Sequence, residues 1–270
     1  MSTWSQGDVI TNGIRMHYYR TGDGTRPPLV LCHGGSDNGL CWTRVARALE
    51  HEFDIVMIDA RNHGLSEAVQ GVSGPDDQGD DLAGLIQALK LGRPAVMGHS
   101  MGGGATLSLA ANHPDCISRA ILEDSGPFEF PASRSSAEFA VRMRENLLAM
   151  KSKTREELIA LCRQQSPTWH EDEVGPWADS KLQLYAEGMG RYSPVAGTWR
   201  DIFARVQCPV LVIRADNDRG SMVTPEAAAE AARLFPNVEI AYVPGAGHNV
   251  RRENYPAFMA AVTAFLARTA

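Results

Sequence analysis

Cysteine is scarce in this chain. Its five residues, Cys32, Cys41, Cys116, Cys162 and Cys208, are odd in number, and no two stand at CxxC spacing. A disulfide scaffold is therefore not expected, nor a cysteine zinc site, and the expected location is a reducing cytoplasm. Basic runs are missing as well. The densest is the pair Arg251-Arg252, and the formal net charge is −6. Phosphate backbones are held by clustered Lys and Arg, so nucleic acid is not expected as a partner. No apolar run approaches the ~20 residues that span a bilayer. The first residues lack a basic segment followed by an apolar one, so neither a membrane partner nor a secretion signal is expected. No G-x-G-x-x-G follows the first predicted strands, and no group of His, Cys and Asp has metal-ligand spacing. The expected cofactor and metal content is none.

What the chain does have is apolar material in short blocks. Hydrophobic residues make up 44% of 270, enough to bury one large core or two small ones. Runs at 29–33, 54–59, 94–98, 119–123, 209–214 and 238–243 are apolar on both sides of a pleat, as in buried parallel strands. Helical patterns at 42–50, 76–91, 101–112, 225–235 and 255–267 alternate with them. Residues around Val9 and at 14–19 suggest an antiparallel hairpin. This alternation predicts an α/β protein: a mostly parallel central sheet flanked by helices. One stretch breaks the rhythm. Residues 127–205 are helical in pattern, with helices at 137–150 and 155–165, and read as an insertion between core segments 1–126 and 206–270.

Gly98-His99-Ser100-Met101-Gly102 follows one predicted strand and opens a helix. This is G-x-S-x-G in a strand–turn–helix setting. Small residues let the turn crowd its neighbours, and the turn lifts the Ser100 hydroxyl out at the carboxyl end of the sheet. The helix behind aims its first N–H groups at the same spot. Ser100 is thus a candidate nucleophile.

Three further segments stand in the same order as in a known family. They are His33-Gly34-Gly35, Asp59-Ala60-Arg61-Asn62-His63-Gly64, and Gly245-Ala246-Gly247-His248. With the serine turn, they make the chain resemble the α/β-hydrolase fold superfamily, in the manner of its serine esterases and lactonases. The resemblance implies that His248 is the base. A serine hydroxyl needs one with a pKa near the working pH, and histidine supplies it. The family pattern implies an oxyanion hole from the amides of Gly35 and Met101. Ser36 could add a hydroxyl, though capping its loop is the plainer reading. His99 is expected to pack in the turn, and His33 and His63 to bond backbone.

The acid that holds the histidine is open between two positions. Most of the family carries it after the strand at 209–214, which points to Asp218. Some members carry it at the end of the strand at 119–123, which points to Asp124. The loop 216–225 departs from the usual pattern, because Arg219, Gly220 and others follow the acidic residues. This tilts the choice to Asp124. The resemblance also implies that 127–205 form a helical cap. Leu40, Trp42, Phe128, Trp177 and Met189 are candidate substrate contacts, although apolar residues on helices more often pack than bind. The expected function is hydrolysis of a small, largely apolar carboxylic ester or lactone through an acyl-enzyme. Carbon–carbon bond hydrolysis, perhydrolysis and ligand sensing without turnover remain open alternatives. The expected partners are that small molecule and at most a second copy of the chain.

Overall fold

The computed structural model describes residues 4–126, 137–185 and 198–268, and the side chains of 137–140 lie outside that description. The strands are β1 (Ser5–Thr11), β2 (Ile14–Arg20), β3 (Pro28–Cys32), β4 (Asp54–Ile58), β5 (Ala95–His99), β6 (Arg119–Glu123), β7 (Val210–Arg214) and β8 (Val238–Tyr242). The helices are α1 (Thr43–Leu49), α2 (Pro75–Ala88), α3 (Met101–Asn112), α4 (Ala137–Lys151), α5 (Arg155–Gln165), α6 (Glu171–Gln183), α7 (Trp199–Phe203), α8 (Pro225–Leu234), α9 (Val250–Glu253) and α10 (Tyr255–Leu266). All eight strands form one sheet in the order β1-β2-β4-β3-β5-β6-β7-β8. The pairs β1–β2 and β2–β4 are antiparallel, and β4 through β8 run parallel. Asn12 and Gly13 turn the first hairpin with φ of 44° and 77°, the left-handed pair that a two-residue turn needs.

The apolar blocks become central strands because alternate side chains serve two cores. Val30, Val56, Val96, Leu122 and Val212 face a layer with α2, α3 and α8. Leu29, Leu31, Ile55, Met97, Ile121 and Ile213 face a layer with α1 and α10. Each such burial is worth roughly 1.5–3 kcal/mol. Every residue of β4, β5 and β6 is buried, which explains why these strands show no polar alternation. The expected strand ends agree with the observed ones to within a residue.

Between β6 and β7 the described elements are all helical. Helices α5 and α6 share a small core of Leu158, Cys162, Val174, Trp177 and Ala178. Helix α7 behaves differently. Trp199, Ile202 and Phe203 are buried in the same layer as α2, α3 and α8. Helix α7, inside the expected insertion 127–205, thus packs with the core layer.

Parallel strands end at one edge of the sheet, and chain segments leaving β3, β5, β6 and β7 meet there. This is where open α/β sheets gather functional loops.

Candidate active site

Ser100 sits between β5 and α3 with φ 49° and ψ −112°. The turn is forced by crowding. A Cβ on Gly98 would lie 2.2 Å from the Gly102 carbonyl oxygen, and one on Gly102 would lie 2.3 Å from that of Cys32. Only glycine fits at either place. The strain at Ser100 is held by its own peptide groups: its N–H donates to the Glu123 carbonyl (3.1 Å), and its carbonyl accepts from the Ser125 hydroxyl (2.5 Å).

The Ser100 hydroxyl lies 3.0 Å from His248 Nε2, and His248 Nδ1 lies 2.7 Å from Asp124 Oδ2. An ionised carboxylate only accepts, so Nδ1 carries the ring proton and Nε2 is free to accept the serine proton. Asp124 is fully buried, with φ 40°. Its oxygens accept from the Ser221 hydroxyl (2.6 Å), the Met222 amide (2.8 and 3.0 Å) and the Val223 amide (3.1 Å). Burial opposes ionisation, but bonds from His248, Ser221 and Met222 outweigh it and hold the carboxyl below its usual range.

Asp218 is exposed in the short turn Asn217–Arg219, and the carboxylate bonded to His248 is Asp124. Asp216 has another task. It accepts from the Tyr242 hydroxyl and the Gly245 amide, which anchors the loop that leads to His248. Gly247 is needed there because a Cβ would lie 2.1 Å from the Arg219 carbonyl. His99 Nε2 donates to the His248 carbonyl (2.9 Å), with the two rings 4.8 Å apart.

On the opposite side of Ser100 lies the segment 33–39. His33 Nδ1 donates to the Gly34 carbonyl (2.8 Å) and its Nε2 accepts from the Ala60 amide (3.0 Å). His63 Nδ1 donates to the Arg61 carbonyl (2.8 Å) and its Nε2 accepts from the Ser36 amide (3.2 Å). Burial pushes His33 down to about 3 and His63 down to about 4, so both work as neutral rings. Asp59 completes the tie by accepting from the Gly39 and Leu65 amides. The amides of Gly35 and Met101 donate to no described residue. Met101 is the first residue of α3, where a helix leaves its N–H groups unpaired. A Cβ on Gly35 would meet only open space.

The expected substrate contacts fare less well. Trp42 is fully buried in the layer with α1 and α10, under the Arg251 guanidinium at 4.2 Å, so it is a packing residue. Trp177 is buried in the small core of α5 and α6. Leu40 is partly exposed and packs against the same layer as Trp42. Phe128 and Met189 lie outside the described residues. Sequence reasoning passed over Ser221, whose signal was the set of extra residues after Asp218. It also passed over Lys181, which carries no motif. Among the described residues, no three His, Cys, Asp or Glu side chains are placed to hold a metal ion. None of the described helices is long and apolar enough to cross a membrane.

A family model described as "Alpha/beta hydrolase family" matches residues 29–262. The chain belongs to this family. The α/β-hydrolase is 31% identical to N-formylmaleamate deformylase of Pseudomonas putida, over 98% of both chains. It is 26% identical to 2-(acetamidomethylene)succinate hydrolase of Mesorhizobium japonicum, over 90% of this chain and 89% of that one. A crystal structure of N-formylmaleamic acid deformylase from Pseudomonas putida S16 superposes with a TM-score of 0.78 at 26% identity, covering 96% of this chain and 100% of that one. Both of these relatives of the α/β-hydrolase are named for hydrolytic reactions.

Proposed function

We propose that the protein is a serine hydrolase that cleaves a small carboxylic ester or lactone through an acyl-enzyme. The carrying observation is the hydrogen-bonded line from Ser100 through His248 to Asp124. In this reading His248 Nε2 takes the Ser100 proton as Oγ attacks the carbonyl carbon. The oxygen becomes an oxyanion, which the amides of Gly35 and Met101 stabilise. The carbonyl re-forms, the C–O bond to the leaving alcohol breaks, and His248 returns the proton to that oxygen. Water then enters, His248 takes its proton as the oxygen attacks the acyl-enzyme, and the imidazolium returns that proton to Ser100 Oγ as the acid leaves. Asp124 stays ionised throughout and stabilises the imidazolium.

A second reading concerns the bond and rests on the relatives' names. N-formylmaleamate and 2-(acetamidomethylene)succinate each join a small acyl group to nitrogen on a carboxylate-bearing skeleton. The same three residues would cleave such an amide if His248 protonated the departing nitrogen. Helices α4 to α6 would cover the substrate. Support for that cover comes from α6, which touches the segment 36–38 through Lys181 and Gln183. The five free cysteines fit a cytoplasmic enzyme.

The test is labelling of Ser100 by a fluorophosphonate, followed by kinetics on matched esters, lactones and N-formyl or N-acetyl amides, with and without a carboxylate. Ser100→Ala should lose about 10⁴-fold or more in kcat. Wild-type-like turnover in that variant would refute the mechanism. A preference for carboxylate-bearing amides would select the second reading.

A further inference from the structure

Lys181 lies on α6, far from Ser100 in sequence, and is buried at 3% exposure. Its ammonium donates to the Ser36 carbonyl (2.7 Å), with Asp37 Oδ1 at 3.1 Å and the Ser36 and Ser180 hydroxyls at 3.2 Å each. Asp37 also meets the guanidinium of Arg252 at 3.0 Å and that of Arg251 at 3.5 Å. Those two cations also pair with Glu123 and Glu173 (2.9 and 3.0 Å), so Lys181 completes a buried cluster of three cations and three carboxylates, and its shortest contact is the Ser36 carbonyl. The Ser36 carbonyl belongs to a residue held in the left-handed region at φ 65°. A non-glycine residue stays there only when its surroundings hold it.

The contacts continue as a chain. The peptide group that contains the Ser36 carbonyl also contains the Asp37 N–H. That N–H donates to the Gly34 carbonyl at 3.1 Å, beside the His33 Nδ1 donor at 2.8 Å. The peptide group that contains the Gly34 carbonyl also contains the Gly35 N–H. In a trans peptide the C=O and N–H point in opposite directions. A donor at one end therefore both orients the plane and polarises the N–H at the other end. Linked peptide groups strengthen each other in this way, and a cation at the head strengthens the first bond most.

We propose that Lys181 is a positioning residue for the oxyanion hole: its ammonium heads a chain of two peptide groups that fixes and polarises the Gly35 N–H. This rests on the serine-hydrolase reading. It makes a helix of the segment between β6 and β7 part of the chemistry, with no contact to substrate required. A plain counter-ion of Asp37 would affect stability without affecting the transition state.

The experiment uses the full chain, an ester such as p-nitrophenyl acetate, and a trifluoromethyl ketone as a mimic of the oxyanion. Removing an oxyanion donor outright costs about 10²–10³ in kcat, so weakening one through Lys181→Met should cost about 10-fold to 30-fold. KM should change less than about twofold, and affinity for the ketone should fall with kcat. Lys181→Arg, which keeps a charged donor, should recover most of the loss. Glu230→Gln breaks an exposed ion pair of α8 with Arg200 (2.7 Å) away from this segment, and should keep wild-type kcat. If Lys181→Met does not fold, Lys181→Gln carries the test, with a smaller fall in kcat at unchanged KM. Wild-type kcat and ketone affinity in folded Lys181 variants would overturn the proposal while the hydrolase reading stands. A wild-type protein that neither turns over the substrate panel nor takes the fluorophosphonate at Ser100 would overturn both.

Discussion

The two sides of Ser100 solve opposite electrostatic problems. On the β6–β7 side a buried carboxylate is kept ionised. Asp124 collects one hydroxyl and two backbone amides besides the His248 ring. On the β3–β4 side two fasteners are neutral rings, and the carboxylate of Asp37 is matched by Lys181, Arg251 and Arg252. His33 and His63 are rings whose protonation is suppressed by burial. The difference follows from the proposed chemistry. The acid side must stabilise a positive imidazolium, so it needs fixed negative charge. The oxyanion side must offer N–H groups to a negative oxygen. An unmatched ionised acceptor close to those donors would oppose that oxygen, whereas a neutral imidazole holds the loop without adding charge.

The largest break in this contrast is Asp124→Asn. An amide in place of the carboxylate cannot hold the same ring tautomer, and kcat should fall about 10⁴-fold. Steady-state kinetics at neutral pH would check it, and a loss under tenfold would remove Asp124 from its role.

The neutral side should fail by pH. His63 is lowered from 6.5 to about 4, so below the unfolded value the unfolded chain binds a proton that the folded chain refuses. Stability is therefore full above about pH 6.5 and declines as pH falls toward 4, by about 3 kcal/mol from this residue. Denaturant titrations at pH 7 and pH 4.5 would show it, and His63→Gln should flatten the slope. An unchanged slope in that variant would contradict the assignment.

A smaller effect belongs to Ser221→Ala. Asp124 keeps its two backbone donors but loses a hydroxyl, and a hydrogen bond to a charged group is worth about 1.5–3 kcal/mol in stability. Only part of this reaches the transition state, so kcat should drop about tenfold. An equal drop in Asp218→Asn would erase the distinction between the two carboxylates. The expected change there is less than about twofold, since Asp218 is exposed and surface substitutions cost little.

The strands were legible as short continuous apolar runs, and most helices because their residues repeat with the helical period. Arg119–Glu123 and Met101–Asn112 match their sequence runs end for end. The serine turn was legible too, since glycine at 98 and 102 reports a local crowding that any such turn requires. Trp42 was misjudged for a related reason. As an apolar residue near the His33-Gly34-Gly35 segment it was a candidate substrate contact, but a 3-10 turn carries it into the core beneath Arg251.

By itself the sequence located the strands and the turn that presents Ser100, because each of these depends largely on neighbours within a few residues. It narrowed the acid to two positions and tilted to Asp124 on the departing loop 216–225. Tertiary structure decided which carboxylate meets His248 and where its donors come from. The loop after β7, lengthened beyond Asp218, turns Ser221, Met222 and Val223 onto a carboxylate 97 to 99 residues away in the chain. Lys181 reaches Ser36 across 145 residues in the same manner. A buried charge is tolerable only where several polar groups converge on it, and only the folded chain can make distant segments converge.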